Sequence, residues 1–197
     1  MEHYFTTPTG PENRREIKAR FWDEDWEFTT ADAVFSNTRL DLGTSVLLRS
    51  STPPSGAVRL LDLGCGWGVL AVALAVANSQ AKIDAVDVNE RALELTSVNA
   101  ERYQVSEQIT TLTPDQAPSE PVYDEIWSNP PIRIGKEALH ELLLKWLPLL
   151  KPSGVARLVV SKNLGGDSLQ AWLVAQGYPT ERVASAKGFR VLEVHKS

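Results

Sequence analysis

The sequence predicts an α/β protein with a mostly parallel β-sheet and helices on both faces of that sheet. From residue 58 onward, short apolar runs typical of buried strands alternate with longer runs that have helical spacing. A glycine-rich turn at residues 62–68 joins the first of these strands to the first of these helices, as in a βαβ unit. Two β-rich runs close the chain around Ala186-Lys187-Gly188 and predict an antiparallel hairpin at one edge of the sheet.

The N-terminal part differs in texture and predicts a β-hairpin followed by a helix. Its strands are expected at residues 17–21 and 26–29, around the acidic turn 23–25, and the helix is expected near Asp41. Residues 50–56 contain two prolines and a glycine, which interrupt regular structure. We therefore expect residues 1–50 to form a hairpin-and-helix extension and residues 51–197 to form one compact domain.

Each element of that domain is predicted from its own pattern. Strands are expected at residues 58–63, 82–87, 123–128, 155–161, 182–185 and 189–195. A further short strand is expected to end near Thr113. Helices are expected at residues 68–77, 90–103, 136–149 and 167–176. Pro152 and Gly154 are expected to stop the third of these helices, because neither residue continues a helix well.

The composition limits the class of protein. The chain has 197 residues, 43% of them hydrophobic, which is enough for one substantial core. A net charge of −5 argues mildly against a nucleic-acid binder, although it is compatible with a local basic patch. The single cysteine excludes an internal disulfide and indicates a reducing compartment.

The sequence also predicts where the protein is located in the cell and whether it binds a metal. The N-terminus lacks the pattern of a signal peptide, and the longest apolar stretch, residues 69–77, is too short to span a bilayer. We therefore expect a cytoplasmic protein without a membrane partner. The three histidines have no metal-ligand spacing, so no metal is expected.

The glycine-rich turn predicts a site for a nucleotide-like cofactor. Gly64, Gly66 and Gly68 lack Cβ atoms, so the backbone can turn sharply and approach a ligand closely. The N-terminus of the following helix offers N–H groups to a carboxylate of the cofactor. Because a nicotinamide enzyme can have a similar turn, the glycines alone leave the identity of the cofactor open.

Acidic residues beside the turn sharpen this prediction. Asp87 ends the second strand about twenty residues after the turn, where a carboxylate can accept both hydroxyls of a ribose. The alternative is that Asp87 caps the helix that opens near Glu90. Asp62 either holds the loop or meets an ammonium group of the cofactor. Cys65 has no base beside it, so a small buried side chain within the turn is expected rather than a nucleophile.

The adenine contact has two candidates, Thr113 and Asp115, at the expected end of the third strand. Either side chain can accept a hydrogen bond from an adenine amino group. The alternative is that the sequence Thr-Pro-Asp forms a turn for its own sake.

The loop that holds the reacting amine is predicted at Asn129-Pro130-Pro131, directly after a strand. Two prolines remove N–H donors and make the loop stiff. The side-chain oxygen of Asn129 and the carbonyl of Pro130 can both accept hydrogen bonds from one –NH2 group, which localises the lone pair of its nitrogen. This indicates methyl transfer from S-adenosylmethionine to a planar exocyclic amine, the alternative being a plain Asn-Pro turn.

Three motifs resemble the methyltransferase small domain family of class I S-adenosylmethionine enzymes: residues 62–68 (DLGCGWG), 87–89 (DVN) and 128–133 (SNPPIR). Residues 28–36 and 40–44 resemble the segment that precedes the core in the RsmC-type branch, which methylates the N2 amine of guanine in ribosomal RNA. The resemblance implies a Rossmann-like fold whose seven-stranded sheet is mostly parallel with an antiparallel last strand. It implies S-adenosyl-L-methionine as cofactor, with Val88 and Asn89 added to the cofactor-binding residues.

The resemblance also suggests the substrate side. Phe35 and Ser36 are expected to line the cleft, and Ile132 and Arg133 to contact the substrate. The implied target is guanine N2 in 16S-type ribosomal RNA, presented as RNA or as the small ribosomal subunit to a monomer or weak dimer. We expect a single-domain relative without the second N-terminal domain copy of the longer enzymes, and Ile132 stands where many adenine and glutamine methyltransferases have an aromatic residue. A protein or small-molecule acceptor, or a non-catalytic RNA-binding module, therefore remains an alternative.

Basic and aromatic side chains elsewhere in the sequence are further candidates for RNA contact. Candidate phosphate contacts are Arg39, Arg133, Lys136, Lys162 and Arg190, each of which is also an ordinary surface charge on its own. Aromatic side chains of the N-terminal segment, Phe21, Trp22, Trp26 and Phe28, have strand spacing that favours a role in the core over base stacking.

Overall fold

The computed structural model describes residues 13–131 and 134–196, and it opens on a two-stranded hairpin. Strands β1 (Arg14–Phe21) and β2 (Glu24–Ala31) pair antiparallel. Trp22 and Asp23 form the turn with left-handed φ angles of 50° and 61°, as a tight hairpin turn requires. The turn therefore comes earlier than expected, because residues 24 and 25 already pair with β1.

Helices and strands alternate through the rest of the chain. The first helix and the elements up to residue 112 are α1 (Leu42–Ser50), β3 (Arg59–Leu63), α2 (Val69–Ala77), β4 (Lys82–Val86), α3 (Glu90–Arg102) and β5 (Ile109–Leu112). The remaining elements are β6 (Tyr123–Ser128), α4 (Lys136–Trp146), β7 (Leu150–Ser161), α5 (Gly166–Ala175), β8 (Thr180–Ala186) and β9 (Phe189–His195). None of the helices in the described ranges is long and apolar enough to cross a membrane.

Seven of the strands form one mixed sheet in the order β5-β4-β3-β6-β7-β9-β8. The ladders β3–β4, β4–β5 and β6–β7 are parallel, whereas β9 runs antiparallel to both of its neighbours. The predicted seven-stranded, mostly parallel sheet with an antiparallel last strand is therefore confirmed, as is the hairpin that precedes it.

The chain divides into two units by its internal packing. The first holds the described residues of Met1–Asp41 together with Pro53–Ala117, and the second holds Leu42–Thr52 together with the described residues of Pro118–Ser197. The division proposed from the sequence, between residues 50 and 51, stays a prediction.

The core of the first unit explains why helix α2 is apolar on every side. Residues 69–75 of this helix are all buried, so its first two turns have no face in contact with water, and only Val76 and Ala77 at its end are exposed. Four of the five residues of β3 and of β4 are also buried, as expected for parallel strands in the interior of a sheet.

Aromatic side chains pack the hairpin onto α3. The Trp26 ring stacks on Phe21 at a centroid distance of 4.7 Å and on Phe28 at 5.9 Å. Tyr103, at the C-terminal end of α3, lies 5.2 Å from the Trp26 ring. Phe21, Trp26 and Phe28 are buried, so the predicted core role of these three side chains is confirmed.

A buried amide on α3 connects the hairpin to the glycine-rich turn. The side-chain oxygen of Asn99 accepts from the Thr29 N–H at 2.7 Å. Its nitrogen donates to the Thr29 carbonyl and to the Trp67 carbonyl, both at 2.8 Å. Asn99 has no solvent exposure, so these hydrogen bonds replace the water that its amide would otherwise require. No local sequence motif indicates Asn99, because its partners lie 70 and 32 residues away.

In the second unit, β7 begins earlier than expected. Leu150 pairs with Tyr123 and the next registered pair joins Val155 to Glu125, so residues 151–154 bulge out of the ladder. Pro152 and Gly154 therefore lie within the irregular start of a strand, and the prediction that they terminate the preceding helix was wrong. Helix α4 ends at Trp146 and is followed by a 3₁₀ turn that contains Pro148.

We predict that Asn99→Ala lowers the free energy of unfolding by about 3 kcal/mol, because three buried hydrogen bonds of about 1 kcal/mol each are lost. Urea unfolding measures the change. Ser97→Ala is the matched control on the same helix, since its exposed hydroxyl donates only to the Leu93 carbonyl. The control should change stability by less than about 0.5 kcal/mol. Equal effects of the two substitutions would contradict the role assigned to Asn99.

Candidate active site

The glycine-rich turn of the first unit is folded against the end of β4. The N–H groups of Gly64 and Cys65 both donate to the Val86 carbonyl, at 2.8 and 3.0 Å. The Gly68 N–H donates to the Cys65 carbonyl at 2.9 Å and closes the turn before α2 begins. Gly64, Gly66 and Gly68 have φ angles of 76°, 56° and 84°, a region in which other residues are strained.

The glycines differ in what surrounds them. A Cβ added to Gly68 would meet the Thr96 side chain at 2.8 Å and its Cα at 3.0 Å, so this glycine allows α3 to approach the turn. A Cβ on Gly64 or Gly66 would meet nothing within 4 Å. The open side of the turn is a cradle of the kind that a closely bound cofactor requires.

Thr96 also stabilises the glycine-rich turn, although no sequence motif indicates this residue. Its hydroxyl donates to the Gly66 carbonyl at 3.0 Å and lies 3.5 Å from the Cys65 sulfur. A buried threonine on a helix has no sequence signal of its own, because its partners lie about thirty residues earlier in the chain.

Asp87 connects β4 to the turn. One oxygen of its carboxylate accepts from the Gly66 N–H at 2.9 Å, and the other accepts from the Asn89 N–H at 2.9 Å. Burial raises the pKa of Asp87, and the backbone hydrogen bonds oppose that rise. The cap of α3 is Asn89, whose side-chain oxygen accepts from the Arg91 N–H at 3.1 Å. The alternative in which Asp87 itself caps this helix is therefore not the one observed.

Asp62 is the most deeply buried acid beside the turn. It has no solvent exposure, and one of its oxygens accepts from the Ala71 N–H at 2.9 Å. The other oxygen has no hydrogen-bond partner in the described part of the chain. Burial, followed by repulsion from Asp87, raises the pKa of Asp62 from 3.8 to about 7. The hydrogen bond from Ala71 agrees with a role of Asp62 in holding the loop, and a contact of its second oxygen with the ammonium group of a cofactor stays a prediction.

Cys65 contributes the N–H and the carbonyl of its backbone to the hydrogen bonds of the glycine-rich turn. Its thiol is not expected to react. Burial raises the pKa of the thiol well above its ordinary value of 9.0. A thiol that stays protonated is a poor nucleophile, which agrees with the expectation of a small buried side chain.

Two side chains beside the glycine-rich turn, those of Asn89 and Trp67, hold the loop that follows the hairpin. Asn89 donates to the Ala33 carbonyl at 2.9 Å, and the Trp67 indole donates to the Phe35 carbonyl at 3.0 Å. The Ser36 hydroxyl donates to the Arg39 carbonyl at 2.7 Å. As a result Phe35 is fixed by its backbone, while 51% of its surface stays exposed.

Val88, beside Asp87, is also an exposed apolar residue, with 48% of its surface accessible. Thr113 is engaged in a turn: its N–H and hydroxyl both donate to the Gln116 side-chain oxygen, at 2.9 and 3.0 Å. Asp115 lies in the same turn and is exposed. Contact of Val88, Thr113 or Asp115 with a cofactor stays a prediction.

The Asn129 loop belongs to the second unit and follows β6 directly. The Asn129 amide nitrogen donates to the hydroxyl of Thr44 on α1 at 3.0 Å. Thr44 is buried, so α1 sets the orientation of the amide. Pro130 is buried, and the Pro131 carbonyl accepts from the Ile134 N–H at 3.1 Å. The sequence analysis missed Thr44, which lies 85 residues from its partner.

Two predicted substrate contacts, Ile132 and Arg133, lie outside the described residues. In the parts that are described, no three metal-ligating side chains come together.

We predict that Gly66→Ala and Gly68→Ala separate cofactor binding from folding. Both place alanine at a positive φ, at a cost of about 1–2 kcal/mol. Gly68→Ala adds a clash with the Thr96 backbone and should destabilise the fold further. Gly66→Ala should fold but bind S-adenosylmethionine, the cofactor expected from the resemblance, at least about tenfold more weakly, since its methyl group enters the cradle. Urea unfolding and calorimetric titration measure the two effects, and wild-type affinity in Gly66→Ala would contradict the cradle.

We predict a pH-dependent stability that originates in Asp62. Because its folded pKa of about 7 lies above the unfolded value, the folded state holds the proton between these values. The free energy of unfolding therefore falls as pH rises from about 4 to about 7 and then levels off. Asp62→Asn should remove this loss and exceed wild-type stability at about pH 8, by at most about 4 kcal/mol. Urea unfolding of both proteins at about pH 4.5 and about pH 8 tests this; a pH-independent difference would refute it.

Comparison with known proteins agrees with this geometry. The sequence model described as "Methyltransferase small domain" matches residues 25–193. The "Uncharacterized protein YbxB" of Bacillus subtilis is 31% identical over 199 residues, covering 99% of this chain and 98% of that protein. Ribosomal RNA small subunit methyltransferase C of Shewanella loihica is 33% identical over 166 residues, covering 76% of this chain and 46% of the relative. The chain thus spans about half the length of this second relative.

Solved structures show the same fold. The T. thermophilus 16S rRNA N2 G1207 methyltransferase (RsmC), in complex with AdoMet and guanosine, superposes with a TM-score of 0.77 at 20% identity. The match covers 96% of this chain and 52% of that chain. M. jannaschii TYW2 in complex with AdoMet has a TM-score of 0.61 at 16% identity, covering 91% and 84% of the two chains. With a family match over most of its length and a class I methyltransferase fold, the chain belongs to the methyltransferase small domain family, whose members use S-adenosylmethionine.

Proposed function

We propose that this protein transfers a methyl group from S-adenosyl-L-methionine to the exocyclic N2 amine of a guanine in 16S-type ribosomal RNA. The observation that carries the proposal is the orientation of Asn129. Its amide nitrogen donates to the Thr44 hydroxyl at 3.0 Å, and this hydrogen bond sets the direction of the amide directly after β6. The names of the similar proteins, a small-subunit ribosomal RNA methyltransferase and an enzyme crystallised with guanosine, support guanine as the base.

The cofactor half of the proposal assigns one task to each group around the glycine-rich turn. S-adenosylmethionine supplies an electrophilic methyl group attached to a positively charged sulfur. The Asp87 carboxylate accepts hydrogen bonds from ribose hydroxyls, and ionised Asp62 pairs with the ammonium group. The open side of Gly64 and Gly66 lets the backbone approach the amino-acid part of the cofactor. Exposed Val88 contacts the adenine ring.

The acceptor half follows from the chemistry of an aromatic amine. The lone pair of such a nitrogen is delocalised into the ring, which makes the amine a weak nucleophile. When the Asn129 oxygen and the Pro130 carbonyl accept its two N–H groups, the lone pair becomes more available. Positive charge that develops on the nitrogen is stabilised by the same two oxygens. The acceptor nitrogen would gain the methyl group as the bond between that methyl group and sulfur breaks, leaving a neutral thioether. The methylated nitrogen would then lose its proton to water, so a strong base is unnecessary.

The substrate side is proposed from the resemblance together with the exposure of Phe35. Phe35 and Ser36 lie on the loop held by Trp67 and Asn89, and we propose that this loop lines the path of the target base. Ile132 is proposed to pack on the base and Arg133 to meet a phosphate. Such a substrate, as RNA or as the small ribosomal subunit, implies a cytoplasmic enzyme, and we propose that it acts as a monomer or weak dimer.

We predict that Asn129→Ala lowers kcat by about 10²-fold or more while the Kd for S-adenosylmethionine changes less than about twofold. Thr44→Val should lower kcat by a smaller factor, because it removes the acceptor that orients Asn129. Thr44→Ser keeps that hydroxyl and serves as the matched control with near wild-type kcat. Radiolabelled transfer to unmodified small-subunit ribosomal RNA and to small subunits measures activity, and nucleoside analysis identifies N2-methylguanosine.

Each other result has a definite meaning. A different methylated nucleoside would overturn guanine N2 as the acceptor. Cofactor binding without transfer to any RNA would move protein or small-molecule acceptors to the front. A wild-type protein that does not bind S-adenosylmethionine would favour a non-catalytic module of the same fold.

A further inference from the structure

We propose that three lysines, Lys136, Lys162 and Lys187, form a docking surface for the phosphates of the substrate RNA. They are called the edge lysines below. The inference rests on the proposed function, because it takes the acceptor to be RNA. All three residues belong to the second unit, which also carries Asn129.

The topology of the second unit brings the edge lysines to the edge that carries Asn129. Lys136 is the first residue of α4, the helix that follows the Asn129 loop. Lys162 directly follows β7, which runs parallel to β6. Lys187 lies in the turn between β8 and β9, and β9 starts opposite the last residue of β7. The carboxyl ends of β6 and β7 therefore share one edge with all three lysines.

A hydrogen bond joins two of the loops that carry these lysines. The Lys162 N–H donates to the Gly188 carbonyl at 2.8 Å, which ties the end of β7 to the turn that holds Lys187. Both side chains are exposed. The backbone segments that carry these two exposed ammonium groups are thus linked to each other.

The edge lysines differ from most other cations of this protein. Many basic side chains pair with carboxylates: Arg15, Arg20, Arg59, Arg102, Lys151, Arg157 and Arg182. Arg190, a phosphate candidate in the sequence, bonds Asp167 at 3.2 Å and is excluded on that ground. The ammonium groups of the edge lysines form no ion pair or hydrogen bond with any residue that the structure describes.

The charge balance favours a polyanion at this edge. The whole chain carries a net charge of −5, yet the loops at the ends of β7 and β8 present exposed Lys162 and Lys187. Glu137 adjoins Lys136 and offsets part of its charge, so Lys162 and Lys187 are expected to be the stronger contacts. Asp167 is already neutralised by Arg182 and Arg190. Exposed lysines act as point charges that suit phosphate oxygens.

RNA rather than an acidic protein follows from the chemistry proposed at Asn129. A base that is extruded toward Asn129 stays covalently attached to its sugar and phosphates. The RNA backbone must therefore pass over the edge at which the edge lysines lie. Phosphates placed there release bound counterions when the lysines replace them, which makes the binding salt-dependent.

The test compares RNA binding by Lys162→Gln/Lys187→Gln with that of the wild type. The probe is an unmodified small-subunit ribosomal RNA transcript, titrated at several salt concentrations between about 0.05 and 0.3 M. Each lysine removed should reduce the slope of log Kd against log salt by about 0.7–0.9. At about 0.1 M salt each should weaken binding about five- to eightfold. KM for RNA should rise, while kcat and the affinity for S-adenosylmethionine stay at wild-type values.

Lys145→Gln is the matched control, because it removes the same charge from an exposed position at the opposite end of α4 from Lys136. Adding Lys136→Gln to the double variant should reduce the slope again. An equal loss of affinity in Lys145→Gln and a single edge-lysine variant would overturn the docking surface in favour of a general charge effect.

The remaining outcomes separate this inference from the proposed function. If the wild type methylates RNA while the double variant keeps the wild-type slope, the docking surface is wrong and the function stands. If the double variant binds naked RNA normally but loses activity on small subunits, the lysines face a ribosomal protein and the inference is overturned. If the wild type neither binds nor methylates RNA, both proposals fail.

Discussion

The structure of the first unit depends on how the chain leaves β3 and folds back onto the end of β4. The N–H groups of Gly64 and Cys65 both donate to the Val86 carbonyl, and the Gly66 N–H donates to the carboxylate of Asp87. These partners are the last residue of β4 and the one after it, so the turn exists only in the observed register, in which Leu63 lies opposite Val86. A slip of one residue would move the Val86 carbonyl and the Asp87 carboxylate away from the N–H groups of Gly64, Cys65 and Gly66. The cradle is therefore a consequence of sheet register rather than of glycine content alone.

The N-terminal hairpin is built onto this turn. A two-stranded hairpin is marginally stable by itself in water, so it needs contacts to the rest of its unit. Stacked aromatic rings supply apolar contact between the hairpin and α3. The buried Asn99 fixes the orientation of the hairpin, because its three hydrogen bonds require one arrangement of β2 and the glycine-rich turn. Trp67 and Asn89 then hold the loop that carries Phe35. The position of a predicted substrate contact is thus set by residues that also build the cofactor region.

The sequence predicted well what depends on local pattern. Alternating strand-like and helical runs placed the elements of the sheet, and spacing from the glycine-rich turn placed Asp87 at the end of β4. It did not reveal Asn99 or Thr44, because their partners lie 70 and 85 residues away and neither residue belongs to a local motif. The prediction that Pro152 and Gly154 end a helix was wrong for a related reason. Their local preference stops a helix, whereas their actual place in a bulge of β7 is decided by pairing with β6.

Electrostatics explains why the net charge of this chain is a poor guide to its partner. In the first unit, Asp62 and Asp87 both have raised pKa values because burial disfavours their charged forms. A cofactor with an ammonium group and ribose hydroxyls would relieve that cost, so cofactor binding should stabilise the fold beyond the contacts it adds. The second unit has the opposite need if its acceptor is RNA, namely exposed cations at the edge that carries Asn129. The net charge sums 25 acidic and 20 basic side chains over the whole chain, whereas the proposed RNA surface consists of three lysines at one edge. The sign of a protein's net charge can therefore oppose the sign of its proposed RNA-binding surface, since attraction at the Debye length of about 10 Å depends on the nearest charges.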